Sequence, residues 1–119
     1  MKTCPCGSLN ILEHCCARIH KDVQLAGQAE QIMRARYTAF VLKDIDFLIN
    51  TYHTSCHAEK QREQIREAAQ LDWVKLEVIA GKQSTEQSKY AFVEFKAWYM
   101  ENSELHVLHE RSRFMKETI

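Results

Sequence analysis

Cys4, Cys6, Cys15 and Cys16 form the pattern C-x-C, eight residues, then C-C. Four thiolates close a tetrahedral shell around zinc, and a shell made wholly of protein ligands has no open position for substrate. Neighbouring Cys15 and Cys16 can both ligate only where the chain turns sharply, most easily in the first turn of a helix. Cys4 and Cys6 need a tight knuckle, for which Pro5 and Gly7 are suitable. His14 and His20 lie close by, and a neutral imidazole from either could replace one thiolate. Iron–sulfur spacings differ from these. With Ile11, Leu12 and Ile19 as its main apolar groups, this segment cannot build a core alone. Metal binding is therefore expected to supply most of its folding energy.

The second dense constellation is His106, His109, Glu110, Arg111, Ser112 and Arg113. A strand places His109, Arg111 and Arg113 on one face, and Leu108, Glu110, Ser112 and Phe114 on the other. Either one face is solvated, or polar side chains enter a cavity, which Trp73, Trp98, Tyr37 and Tyr52 would help to wall. Cys56 between His53 and His57 is a lone cysteine in a loop and has low specificity as a nucleophile or metal site. No Walker loop, nucleotide-binding glycine fingerprint, zinc-protease motif or G-x-S-x-G elbow is present.

The elements that position these groups follow from periodicity. Residues 29–42 carry Ala29, Met33, Tyr37, Phe40 and Val41 at helical spacing, and Ile32, Ala35, Ala39 and Leu42 widen that face. Glu30 and Arg34 can pair at i,i+4. Asp44 caps a short helix over 45–52. Residues 59–71 read as a polar surface helix, with a thin stripe at Ile65, Ala68, Ala69 and Leu71, that covers a sheet. From Trp73 the period becomes two: Val74, Leu76 and Val78 point inward. After a polar turn, 90–100 is a strand with Ala91, Val93, Phe95, Ala97 and Tyr99 on one side. Asn102 and Ser103 break the run, and 105–115 is a third strand. Helices first and antiparallel strands after make an α+β domain.

With 119 residues, one proline and three glycines, the chain is one small domain with an appendage. Sixteen basic and sixteen acidic side chains cancel, so overall charge points to neither nucleic acid nor a membrane surface. Four of the five cysteines cluster rather than closing loops, there is no signal-peptide-like apolar run, and no stretch is long enough to span a bilayer. A soluble protein of a reducing cytoplasm is expected.

Cys4-Pro5-Cys6-Gly7-Ser8 with Cys15-Cys16 resembles the SEC-C zinc-binding motif found at the end of bacterial protein-translocation ATPases. With residues 33–40 (MRARYTAF) and 109–114 (HERSRF), the chain is similar to the bacterial YchJ-like, or UPF0225, family of uncharacterised proteins. The resemblance implies a SEC-C-like zinc motif over 1–26 and an NTF2-like domain over 27–119, a cone in which a curved antiparallel sheet wraps helices around a cavity. It places Arg34, Arg36, Tyr37, His53, Trp73, Glu94, His109, Glu110, Arg111 and Arg113 at the cavity or its rim. Two departures stand out. Leu9 replaces a glycine common in relatives and is expected to alter the turn. After 109–114 the sequence carries only Met115 to Ile119 and not the relatives' aromatic strand, so either the chain is trimmed or the sheet lacks its final strand.

Fold alone assigns no reaction. The leading expectation is a binding module: the knuckle docks on a protein partner and the cavity retains a small anionic ligand. The knuckle's basic edge, Lys2, Arg18, His20 and Lys21, is too small to make nucleic acid its partner. The alternative is an acid–base enzyme in which Glu94 orients His109 and Arg111, with Arg34 or Arg36, holds an anionic substrate. A third reading makes Glu110 and Arg111 purely structural ion-pair partners. NTF2-like domains often pair through the outer face of the sheet, so a homodimer is also expected.

Overall fold

The computed structural model of the protein describes residues 2–52, 56–82 and 90–115. Four α-helices, α1 (Cys16–Lys21), α2 (Ala29–Leu42), α3 (Ile45–Asn50) and α4 (Arg62–Ala69), precede three strands, β1 (Asp72–Lys82), β2 (Tyr90–Glu101) and β3 (Glu104–Met115). The strands form one curved antiparallel sheet in the order β1-β2-β3. None of the described helices is long and apolar enough to cross a membrane.

Helix α2 is the hub, packing on α1, α3, α4, β1 and β2. Its two apolar stripes merge into one wide buried surface of Met33, Ala35, Tyr37, Thr38 and Ala39. A capping box between Gln28 and Gln31 satisfies its first amide groups. At its far end Lys43 adopts the left-handed conformation and donates its Nζ to Ala69 O at 2.8 Å, closing the last turn of α4. Asp44 caps α3 by accepting from Phe47 N at 3.2 Å, but α3 stops at Asn50 rather than running through Tyr52. The expected 59–71 helix divides into a 3-10 turn (Ala58–Gln61) followed by α4. Instead of lying across the sheet, α4 packs chiefly on α3 and α2, and Trp73 Nε1 reaches it by donating to Ala68 O at 2.9 Å.

In β2 the alternation holds as expected. Ala91, Val93, Phe95 and Ala97 are buried against the helices, whereas Phe92, Glu94, Lys96 and Trp98 face outward. In β1 it does not: Val74, expected inside, is 50% exposed. A bulge between Trp73 and Lys75 inserts an extra residue, so Trp73 turns inward beside Tyr99 and Val74 is displaced outward. A second irregularity follows between Val78 and Ala80, and together they curve the strand. The polar turn expected after Gly81 lies largely outside the described residues.

Asn102 and Ser103 connect β2 to β3 in a two-residue turn with φ of 54° and 64°. Positive φ at both positions is the mirror-image geometry that matches strand twist, and it favours Asn followed by Gly. Ser103 therefore carries a left-handed conformation that a Cβ disfavours. Replacing Ser103 with Gly is expected to raise stability by about 0.5–1 kcal/mol. In thermal unfolding this should appear as a midpoint roughly 2–5 °C higher; a lower midpoint would mean that the Ser103 side chain contributes something the turn geometry does not predict.

Candidate functional site

Near the amino terminus the chain folds back on itself through a bridge between Thr3 and Ile11, with Cys4 N donating to Asn10 O at 2.8 Å and Leu12 N to Lys2 O at 3.0 Å. The reversal needs left-handed backbone at Gly7 (φ 84°) and at Leu9 (φ 71°). Leu9 takes the left-handed conformation that favours glycine, with its side chain 86% exposed. Leu12–His14 forms a 3-10 turn, and Cys16 opens α1, which lets neighbouring cysteines point to one centre.

There the four cysteine sulfurs all lie within 4.8 Å of one another. Cys6 Sγ is 3.6 Å from Cys15 Sγ, and Cys15 Sγ is 4.0 Å from Cys16 Sγ. Four sulfurs at ~2.3 Å around one tetrahedral ion stand about 3.8 Å apart, so the donor set fits a single metal. Neither histidine belongs to the cluster. His14 is exposed, and His20 is engaged by Ala35 O at 2.7 Å and by the Phe47 ring at 4.5 Å.

The thiols share charge unequally. A hydrogen bond from Cys16 holds the Cys6 thiol down to about 4. The same bond, with burial, pushes Cys16 well up, and burial also raises Cys15. Ser8 Oγ lies 3.2 Å from Cys15 Sγ. Cys4, Cys6 and Cys16 belong to the same buried cluster as the domain core, with Cys4 Sγ 3.6 Å from the fully buried Thr38 hydroxyl.

The remaining candidates do not share one cavity. Arg34 clamps the knuckle, donating to Cys6 O at 2.6 Å while pairing with Glu30 at 3.1 Å. Arg36 lies on the helix side of the sheet. It donates to Leu48 O at 2.9 Å and to the Thr51 hydroxyl, and stacks 4.3 Å over the Tyr52 ring. Burial depresses its guanidinium pKa, opposed by the fields of Tyr52, Cys56 and Glu110. Glu110 is on that side because it pairs in register with Phe95. Tyr37 and Trp73 also face inward, rings 6.4 Å apart, and burial pushes the Tyr37 phenol up to about 12.

Glu94, His109, Arg111 and Arg113 lie on the opposite, outward face, because register pairs Lys96 with His109, Glu94 with Arg111 and Phe92 with Arg113. There His109 Nε2 meets Glu94 Oε2 at 2.6 Å, with side chains 48% and 35% exposed. A shallow groove of about 210 Å³ beside them is lined by Ala80, Gly81, Phe92, Glu94 and Arg111. His53 lies outside the described residues.

Residues 28–119 match the family described as YchJ, middle NTF2-like domain. A UPF0225 protein of Vibrio vulnificus (strain YJ016) is 45% identical over 115 residues, covering 97% of this chain and 68% of that protein. The chain belongs to the UPF0225, YchJ-like family. A further member, from Shewanella sp. (strain ANA-3), is 40% identical over 122 residues, covering 98% of this chain and 74% of its own length. Among solved structures, a SEC-C motif containing protein from Psychrobacter arcticus superposes with a TM-score of 0.83 at 29% identity, covering 97% of this chain and 72% of that one. The SEC-C motif containing protein RPA3114 from Rhodopseudomonas palustris gives 0.85 at 28% identity, covering 98% and 90%.

Sequence reasoning missed Ser8, Thr38 and Thr51, hydroxyls whose partners lie on other elements. It also missed the rings of Tyr90 and Phe92 under Arg113 and Arg111. Strand parity does align those rings with Glu94 on one side of β2, but it does not show which β3 side chains lie over them.

The thiol pattern would set the pH dependence of metal loading at the cysteine cluster of this UPF0225 member. The hydrogen bond from Cys16 lowers the Cys6 thiol, whereas Cys15 and Cys16 are raised and so keep their protons at neutral pH. A metal loading here would expel at least their two protons, and its affinity would fall as pH falls. Calorimetry in buffers of different ionisation enthalpy should show about two or more protons released per metal at pH 7. A release near zero would mean that the sulfurs are not the ligands.

Proposed function

We propose that this UPF0225 protein is a zinc-stabilised binding module. The observation that carries the reading is the closed four-sulfur shell, all within 4.8 Å and continuous with the domain core. Four soft ligands in tetrahedral reach suit zinc, and a shell completed by protein has a structural role. Zinc held there would fix residues 2–16 against α2 through Thr38 and Arg34. The knuckle's outer surface, with exposed Leu9, Lys2, Arg18 and Lys21, supports docking on a protein partner. On the helix side, the buried Arg36 guanidinium, bonded to neutral acceptors and facing Glu110 only through space, supports retention of a small anionic ligand. Free thiols throughout suit a reducing cytoplasm.

The enzyme reading has one observation in its favour, the short His109–Glu94 contact, which fixes an imidazole as a general base requires. Against it, the pair is roughly half exposed beside a shallow groove, so water is not excluded from it.

Elemental analysis of protein purified without added metal should give one zinc per chain, lost on replacing Cys15 and Cys16 with serine together with most of the cooperative unfolding transition. Folded, reduced protein without metal would overturn the zinc assignment. A turnover abolished by His109→Ala and Glu94→Gln, with zinc retained, would replace the binding module with the enzyme.

A further inference from the structure

Three outward side chains of β3 make one repeated contact. Each reaches diagonally to the β2 residue two positions before its register partner: His109 to Glu94 at 2.6 Å, Arg111 over the Phe92 ring at 4.5 Å, and Arg113 over the Tyr90 ring at 4.6 Å. The result is a ladder of flat groups along one face, its rungs about 6.8 Å apart, the rise of two strand residues. A guanidinium laid on a ring has one plane covered and the other turned to solvent, with its N–H edges free to meet an anion.

The charges of this face do not cancel as those of the whole chain do. Among the described residues, register places Lys75, Lys96, Arg111 and Arg113 on this side, with Asp72, Glu77 and Glu94 as its acids, Asp72 at the far end opposite Met100. Glu94 is held by His109, and Glu77 stands opposite Lys96. Among the described residues no carboxylate forms an ion pair with Arg111 or Arg113, and both are exposed. The groove lined by Ala80, Gly81, Phe92, Glu94 and Arg111 opens beside the middle rung.

We propose that this outward face binds single-stranded nucleic acid, with bases stacking on the Arg111 and Arg113 planes and phosphates meeting their edges and Lys96. Two observations select this occupant. The excess charge is positive, and two of the cations that carry it are guanidiniums lying over aromatic rings, planar groups of the kind that sequence-tolerant single-strand binders use as platforms. An acidic peptide would use the edges and leave the planes empty. The proposal goes beyond the zinc-stabilised module and is independent of the knuckle.

The test is fluorescence anisotropy of the full chain with a labelled mixed-sequence RNA of about 12 nucleotides and its DNA counterpart, a length within single-strand site sizes. Binding should weaken with salt at a log–log slope of about −2, as three cations on a single strand require. Arg111→Ala with Arg113→Ala should weaken binding at least about tenfold. Arg111→Lys with Arg113→Lys keeps the charge and loses the stack, and should still weaken it about fivefold. Zinc content and unfolding midpoint, measured on the same samples, should not move; metal lost from every sample would count against the zinc module, not against this face. Absence of single-strand binding at low salt would overturn the proposal. So would lysine variants that bind like the parent, duplex bound as tightly as single strand, or a poly-glutamate peptide that shows the arginine dependence when the oligonucleotide does not.

Discussion

The structure depends on how closely other elements can approach α2. Ala35 and Ala39 have no exposed surface, and that smallness lets neighbours pack against the helix at near-backbone distance. On one side Thr38 and Arg34 hold the cysteine knuckle; on others Tyr37 meets Trp73 of β1 and Arg36 grips the end of α3. Arg34, Arg36, Tyr37 and Thr38, spread over a little more than one helical turn, thus address separate parts of the molecule. A larger residue at either alanine would force these contacts apart together, because close-packed interiors transmit displacement.

Strand parity then divides the polar residues. Glu110 is adjacent in sequence to His109 and Arg111 yet faces the helices, where its charge is felt by Arg36, while its neighbours face outward. The 109–113 segment therefore serves two surfaces of different character. The inward one is on the helix side of the sheet. The outward one is open and meets whatever lies beyond the sheet.

The sequence made much of this legible. The stripe over 29–42 marks α2 at its observed bounds, Asp44 caps α3, and the alternation over 90–100 identifies the inner face of β2. Each signal is local, set by the periodicity of one element. The cysteine spacing likewise brings four sulfurs together because a knuckle and a helix start are local structures. The failures came where position depends on a partner. Val74 reads as inward until the pairing with β2 forces a bulge, and α4 reads as a cover for the sheet until α2 and α3 take its apolar stripe. A total charge of zero concealed the outward face, since charge balance says nothing of which side of a strand each charge occupies.

The knuckle and the domain share one buried cluster, which has a consequence for how stability responds to the surroundings. A ligand that binds only the folded arrangement adds RT ln(1 + [L]/Kd) to the free energy of unfolding, about 2.7 kcal/mol at a hundredfold excess over Kd. In a protein with a detachable metal finger that increment would protect the finger alone. Here Cys4, Cys6 and Cys16 are packed among the residues that hold helices to sheet, so the increment belongs to the whole chain. The folded fraction of the protein would then follow metal supply by mass action, making the lifetime of every surface it carries a function of free metal concentration.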